Sequence, residues 1–197
     1  MDAEGIRQNL IRRFEIIQRL EGDFELQAIA LARASKDCAW RFNTFAWTYD
    51  PRAPAKGLPA YLPFDLFPRQ EELVGWLDAR VDNAEEGLVE KSRDVGWTWL
   101  AGGYALHKWL FRPGFKTTFG SRKEVYVDRI GDPDSIFGKI RLLLDRLPAW
   151  QVPPGFSRSE HDNHMRLINP ANGNAITGEA GDNMGRGGRS SLYFVDE

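Results

Sequence analysis

The sequence predicts an α/β protein: a three-layer core, in which crossover helices flank a sheet, preceded by a helical amino-terminal region. Three observations point there. Beyond residue 68, short apolar runs alternate with segments of helical period, the pattern of strands joined by crossover helices. Residues 134–147 place Ile136, Ile140, Leu143, Leu144 and Leu147 on one stripe, which Pro148 ends. Five prolines (Pro51, Pro54, Pro59, Pro63 and Pro68) punctuate residues 50–68, where no apolar period is present.

At the amino terminus, Ile6, Leu10, Phe14 and Ile17 recur at helical spacing through a charged segment, predicting an amphipathic helix over 3–20 that Gly22 stops. Asp23 suits the N-cap of a second helix with Leu26, Ile29 and Ala30 on one face, continuing with a break toward Phe45. Residues 1–50 thus form a helical lid region, residues 51–68 a proline-rich linker arm, and residues 69–197 the core. Within the core, Leu73, Trp76, Leu77 and Val81 predict a helix over 69–81, residues 87–90 are a strand candidate, and residues 99–111 are helical. Residues 117–121 read as strand, and 165–169 with 175–177 as a hairpin across Asn172 and Gly173. A glycine-rich loop, 178–188, leads into a last apolar strand over 191–195.

Composition bounds the function. At about 150 residues per domain, 197 residues suit one sizeable domain with an appendage. Apolar residues at 42% and charged ones at 27% exclude a disordered or collagen-like chain. The formal charge of -2 means that any nucleic-acid contact needs a local basic patch rather than a global field. A single cysteine, Cys38, forms no internal disulfide, and a cytoplasmic location is expected. The longest apolar stretch, 96–106, is about half of the ~20 residues a membrane span requires.

Chemistry concentrates in Lys91-Ser92-Arg93-Asp94-Val95-Gly96-Trp97-Thr98, between a strand candidate and a helix. The phosphate loop (Walker A) reads G-x-x-x-x-G-K-[ST]: backbone amides wrap the phosphates, Lys neutralises them, and the hydroxyl reaches Mg²⁺. Gly96 and Thr98 fill the later glycine and hydroxyl positions, but Trp97 stands where Lys belongs and Lys91 where the first Gly belongs. A lysine at the loop's start can still fold over phosphates, and Arg93 is a rival cation. Read alone, the octapeptide is first a charged turn before a helix, and its context decides. About 100 residues later, Leu192-Tyr193-Phe194-Val195 delivers Asp196 and Glu197 at a strand end, where an Asp can hold Mg²⁺ and a following Glu can accept a proton from water. Upstream, Gln70 at a helix start could read an adenine edge by donating and accepting together, or simply be solvated.

Together with Phe67-Pro68-Arg69-Gln70, Ser121-Arg122-Lys123-Glu124 and the stretch 178–189, these runs resemble the ATPase domain of the large terminase subunits, the DNA-packaging motors of tailed bacteriophages. The resemblance spans residue 66 to the last, and the displaced loop lysine is its most specific mark. It implies a phosphate-loop NTPase core of the RecA-like type that binds ATP and Mg²⁺. Residues 91–98 would cradle the phosphates, with Lys91 and Arg93 as catalytic cations, Thr98 and Asp196 on the metal, Glu197 activating water and Gln70 near adenine. An arginine finger would come from Arg122, Arg186 or Arg189. Implied partners are double-stranded DNA, the small terminase subunit, the portal protein and further copies in a ring, with no membrane. Family members continue into a coupling motif and a nuclease domain, whereas this sequence stops at Glu197. The expectation is therefore a partial product that hydrolyses ATP feebly without the remainder. A helicase-like translocase and a non-catalytic nucleotide- or DNA-binding fragment are the rivals.

Other features favour ordinary roles. His161 and His164 lack the further ligands a zinc site needs. Cys38 reads as a small buried hydrophobe. Trp40, Phe42, Phe45, Trp47 and Tyr49 read as packing, although such aromatics can stack on bases. Arg112, Lys116, Arg122, Lys123 and Arg129 form the densest basic stretch, read as a solvated face.

Overall fold

The computed structural model describes residues 3–92, 94–186 and 188–196. Three helices open the chain: α1 (Ala3–Leu20), α2 (Phe24–Lys36) and α3 (Cys38–Phe45). Asp23 caps α2 by accepting from the Leu26 amide, and Asp37 both ends α2 and caps α3 through the Trp40 amide. That second aspartate is the physical cause of the expected break, since a side chain that satisfies the next helix's free amides favours restarting over continuing.

The proline-rich arm is folded. Strands β1 (Trp47–Tyr49) and β2 (Tyr61–Pro63) pair antiparallel, Trp47 opposite Pro63, and a 3₁₀ turn lies between them. Ala53, Phe64 and Leu66 are buried, so the arm is anchored by its apolar residues despite lacking a regular period. Arg13 pins α1 to it. Its guanidinium is almost wholly buried and donates to the carbonyls of Ala46 and Phe42 and, at 2.9 Å, to Asp65.

Next come α4 (Pro68–Asp82), α5 (Trp97–Phe111), β3 (Lys116–Ser121), the short α6 (Glu124–Val127), α7 (Ile136–Asp145) and the short α8 (Arg158–His161). Strands β4 (Asp162–Asn163), β5 (Arg166–Ile168), β6 (Ala175–Ala180) and β7 (Leu192–Val195) complete the order. α5 is the hub. It is apolar on every side, as its sequence reads, and residues Trp99 to Trp109 are all buried. Gly103 lets α3 press against it, because a Cβ there would lie 2.3 Å from the Phe42 ring. α7 closes the opposite flank through Ile140 and Leu143, the Ser135 hydroxyl capping its first turn. One continuous apolar core joins Phe42 and Phe64 to Leu106, Ile140 and Phe194, so the helical lid region, the arm and the sheet share it.

The five strands run β4-β5-β6-β3-β7. β3 is parallel to both β6 and β7, while β5 returns antiparallel to β6 across the expected Asn172-Gly173 turn. Asparagines in that turn cap α5: Asn174 Nδ2 donates to the carbonyls of Trp109 and Arg112, Asn169 Nδ2 donates to that of Trp109, and Asn174 Oδ1 accepts from the Phe115 amide. The helix's orphan carbonyls are thus satisfied inside the fold.

Two expectations need correction. Residues 87–90 form no strand: they lack regular structure, and Leu88 is 93% exposed, so no sheet strand immediately precedes the loop at 91–96. The sheet is also not shown between two helical layers. Phe119 and Phe194 stack 5.2 Å apart and meet α5 through Trp97, but the opposite face is polar. There Thr118 shares hydrogen bonds with Thr177 and Ser190, Glu179 accepts from Tyr193, and the loop around Gly185 covers them. Hydroxyl-lined faces do not bury a helix's apolar stripe; among the described residues the architecture is a mixed sheet with helices on one face.

Candidate functional site

The parallel register of β3 and β7 decides where Asp196 goes. Asp196 donates its backbone N–H to the Gly120 carbonyl, extending the ladder by one residue past Val195. Because side chains alternate along a strand, Asp196 faces the same side as Phe194, toward α5. There the Thr98 hydroxyl meets it: Thr98 Oγ1 donates to Asp196 Oδ2 at 2.9 Å. Two residues 98 positions apart in sequence are thus joined at the start of a buried helix.

The loop's geometry explains how Thr98 is presented. Gly96 is the N-cap of α5 with a left-handed backbone (φ 71°), and it has no side chain to cap the helix. The first-turn amides of α5 therefore receive no side-chain acceptor from their own cap and point outward with the positive end of the helix dipole. Asp94 is also left-handed (φ 63°), and its carboxylate pairs with Arg52 of the arm at 3.5 Å. Gln70 braces the loop from beneath. Its Oε1 accepts from the Phe67 amide and its Nε2 donates to the Val95 carbonyl at 2.9 Å.

A cavity of about 690 Å³ opens above this loop. The loop and Thr98 form one wall, the arm from Thr48 to Asp65 another, and Asp134 and Lys139 at the start of α7 a third. Of the residues expected to bind nucleotide, Gln70, Lys91, Ser92, Asp94, Val95, Gly96, Trp97 and Thr98 all line it. Lys91 and Ser92 are exposed at its edge. Trp97 sends its ring toward the sheet, edge-on to Phe194 with centroids 5.9 Å apart, so the residue at the usual lysine position anchors the loop. Arg93 and Glu197, expected as catalytic groups, lie outside the described residues.

Gln70 commits one acceptor position and one donor of its amide to the chain's own backbone while lining the cavity. Gln70 holds the loop.

Sequence reading missed the arm and the predicted helix α7 as walls of the site. Lys139 of α7 donates to the Asp134 carbonyl and lies 5.9 Å from the centroid of Trp99, the residue after Thr98. Burial lowers its pKa, while Asp134, Asp132 and Asp196 oppose that shift. The only sequence signal was a lysine just inside the strongest predicted helix, one turn from its cap.

The remaining chemical candidates are structural. Cys38 is buried, and burial pushes its thiol up to about 12. His161 Nδ1 accepts from the Ser157 amide and His164 bonds Glu124, and among the described residues no group of three or more His, Cys, Asp or Glu side chains is placed to hold a metal. Phe42 and Phe45 are fully buried, and Trp40 packs edge-on to Phe45. The finger candidates Arg122, Arg186 and Arg189 are exposed, Arg122 over the Tyr126 ring. No helix among the described residues is long and apolar enough to cross a membrane. No family model matches the chain, and a search of curated proteins finds no relative.

Proposed function

We propose that the chain is a nucleotide-binding phosphate-loop ATPase, and that it works in the manner of a large terminase subunit, coupling ATP hydrolysis to translocation of double-stranded DNA. The observation that carries this reading is the Thr98–Asp196 hydrogen bond at the start of α5, beneath a cavity walled by the loop. In phosphate-loop enzymes a loop hydroxyl and a strand-end aspartate hold Mg²⁺ together.

The donor set suits the metal. Thr98 and Asp196 are both oxygen donors, and Mg²⁺ in nucleotide sites takes one or two protein oxygens with phosphate and water supplying the others. Bound there, it would neutralise charge on the phosphate oxygens. The remaining work falls to this chain's own groups. The uncapped amides of α5 offer hydrogen bonds to phosphate. Gln70 fixes the loop by holding the Val95 carbonyl. The Arg52–Asp94 pair ties the arm to the loop across the cavity, so the arm is positioned to exclude water from a bound triphosphate. Water would attack the γ-phosphate in line, its proton passing to Glu197 as the resemblance implies. DNA, the small subunit, the portal and a ring of copies enter through the resemblance alone.

The test is calorimetric titration with MgATP, alongside Thr98→Ala and Asp196→Asn. Saturable binding that both substitutions weaken supports the reading. Wild-type protein that binds no nucleotide with or without Mg²⁺ overturns it, and favours the rival in which the loop docks a macromolecule.

A further inference from the structure

We infer that Lys139, on α7, is the fixed phosphate-facing cation of the cavity and takes the place of the lysine that is absent from the usual loop position, where Trp97 stands. The inference rests on the nucleotide-site reading and goes beyond it, since neither the loop motif nor the acidic strand end points to α7.

A bound triphosphate carries several negative charges, and a site that holds it benefits from a cation on a rigid element, where little ordering entropy is lost on binding. Among its described residues the loop provides none on a rigid element. Trp97 fills the usual position and faces Phe194. Lys91 is exposed in a segment without regular structure. Among the other described cations on the cavity wall, Arg52 is already paired with Asp50 at 3.0 Å and Asp94 at 3.5 Å, and Lys56 is exposed on the arm.

Lys139 differs in each respect. Its helix is locked to the core by Ile136, Phe137, Ile140, Leu143 and Leu144, all buried. Its stem is half-buried and its Nζ sits over Trp99, next in sequence to Thr98, with Asp196 close enough to act on its charge. Its one hydrogen bond is to a main-chain carbonyl, that of Asp134, and it forms no ion pair within 4.0 Å among the described residues. An ammonium carries three donors, so two remain for phosphate oxygens without breaking that bond.

The experiment titrates the full chain with MgATP and with sodium tripolyphosphate, comparing wild type, Lys139→Met and Lys139→Arg. Met keeps an apolar stem over Trp99 and removes the ammonium together with its bond to the Asp134 carbonyl, whereas Arg keeps a charged donor. The expected result is a weakening of about tenfold or more for both ligands in Lys139→Met, with Lys139→Arg close to wild type, as for loss of a charge-assisted hydrogen bond. Wild-type affinity retained in Lys139→Met overturns the role of Lys139 and leaves the nucleotide site standing. Absence of nucleotide binding in wild type overturns both. Should Lys139→Met fail to fold, acetylation mass spectrometry on the wild-type protein decides: Lys139 becomes shielded when MgATP binds, and undiminished labelling at saturation rejects the assignment.

Discussion

Thr98 and Asp196 are joined by a 2.9 Å hydrogen bond that ties the start of the central helix to the end of an edge strand. Thr98 lines the cavity and Asp196 is bonded to it from the strand end, so substitutions at the two positions are expected to have overlapping effects. Thr98→Ala and Asp196→Asn should each abolish the difference between nucleotide affinity in Mg²⁺ and in EDTA, and the double substitution should do little more than either single one. Calorimetry in the two buffers measures it, and fully additive losses would show that the residues act separately.

Gln70 offers a way to loosen the loop without changing any residue of the loop itself. Gln70→Glu keeps an acceptor for the Phe67 amide but has no donor for the Val95 carbonyl. Hydrogen exchange should then accelerate across residues 91–96 while α5 stays protected, and global stability should fall by about 1 kcal/mol, the usual worth of one hydrogen bond. Unchanged exchange in the loop would mean that it is held by other contacts.

Acid sensitivity should trace to His107. Burial first, and then the nearby charges of Arg41 and Lys108, lower its pKa to about 2, so the folded protein keeps the ring neutral. An unfolded chain protonates the same ring near pH 6.5. Below that value the unfolded state binds a proton that the native state refuses, so stability declines as pH falls from about 6.5 toward 2. Urea titrations between pH 7 and 4 should show this slope, and His107→Leu should flatten it. A slope that persists in the variant places the effect on the carboxylates.

How much of this could be read beforehand depends on where the information lies along the chain. The helix start at Asp23 and the hairpin at Asn172-Gly173 are local: a side chain within three residues of a free amide, or a residue type that a tight turn demands, makes them visible in the sequence. Asp196 and Thr98 were legible as a pair because each ends or starts an apolar element. Residues 87–90 misled because a short apolar run resembles a strand even when no neighbour offers it a ladder, and Leu88 stays exposed. Arg52 carried no signal, and Lys139 only its position one turn inside the strongest predicted helix. Their place at the site follows from how α7 and the arm dock on the core, which depends on Trp99, Phe64 and Ile140 meeting across long separations.

Two glycines in helices of this chain should respond oppositely to the same added methyl group. Gly75 lies on the exposed side of α4 with nothing within 4 Å of where its Cβ would be. Gly75→Ala should therefore raise stability by about 0.5–1 kcal/mol, because alanine loses less backbone freedom on folding. Gly103 lies at the crossing of α3 and α5, and its Cβ would meet the Phe42 ring at 2.3 Å. Phe42 is fully buried and packs edge-on against Phe64 with centroids 5.4 Å apart, so the ring cannot swing away without displacing the arm. Gly103→Ala should cost about 1–3 kcal/mol, the range for overpacking a close-packed core. Since Phe64 also lines the cavity, nucleotide affinity should weaken in Gly103→Ala and stay at the wild-type level in Gly75→Ala. Thermal melts give the stabilities and calorimetry gives the affinities. A neutral Gly103→Ala would mean that α3 can lift from α5, and with it that the arm is not fixed by the core.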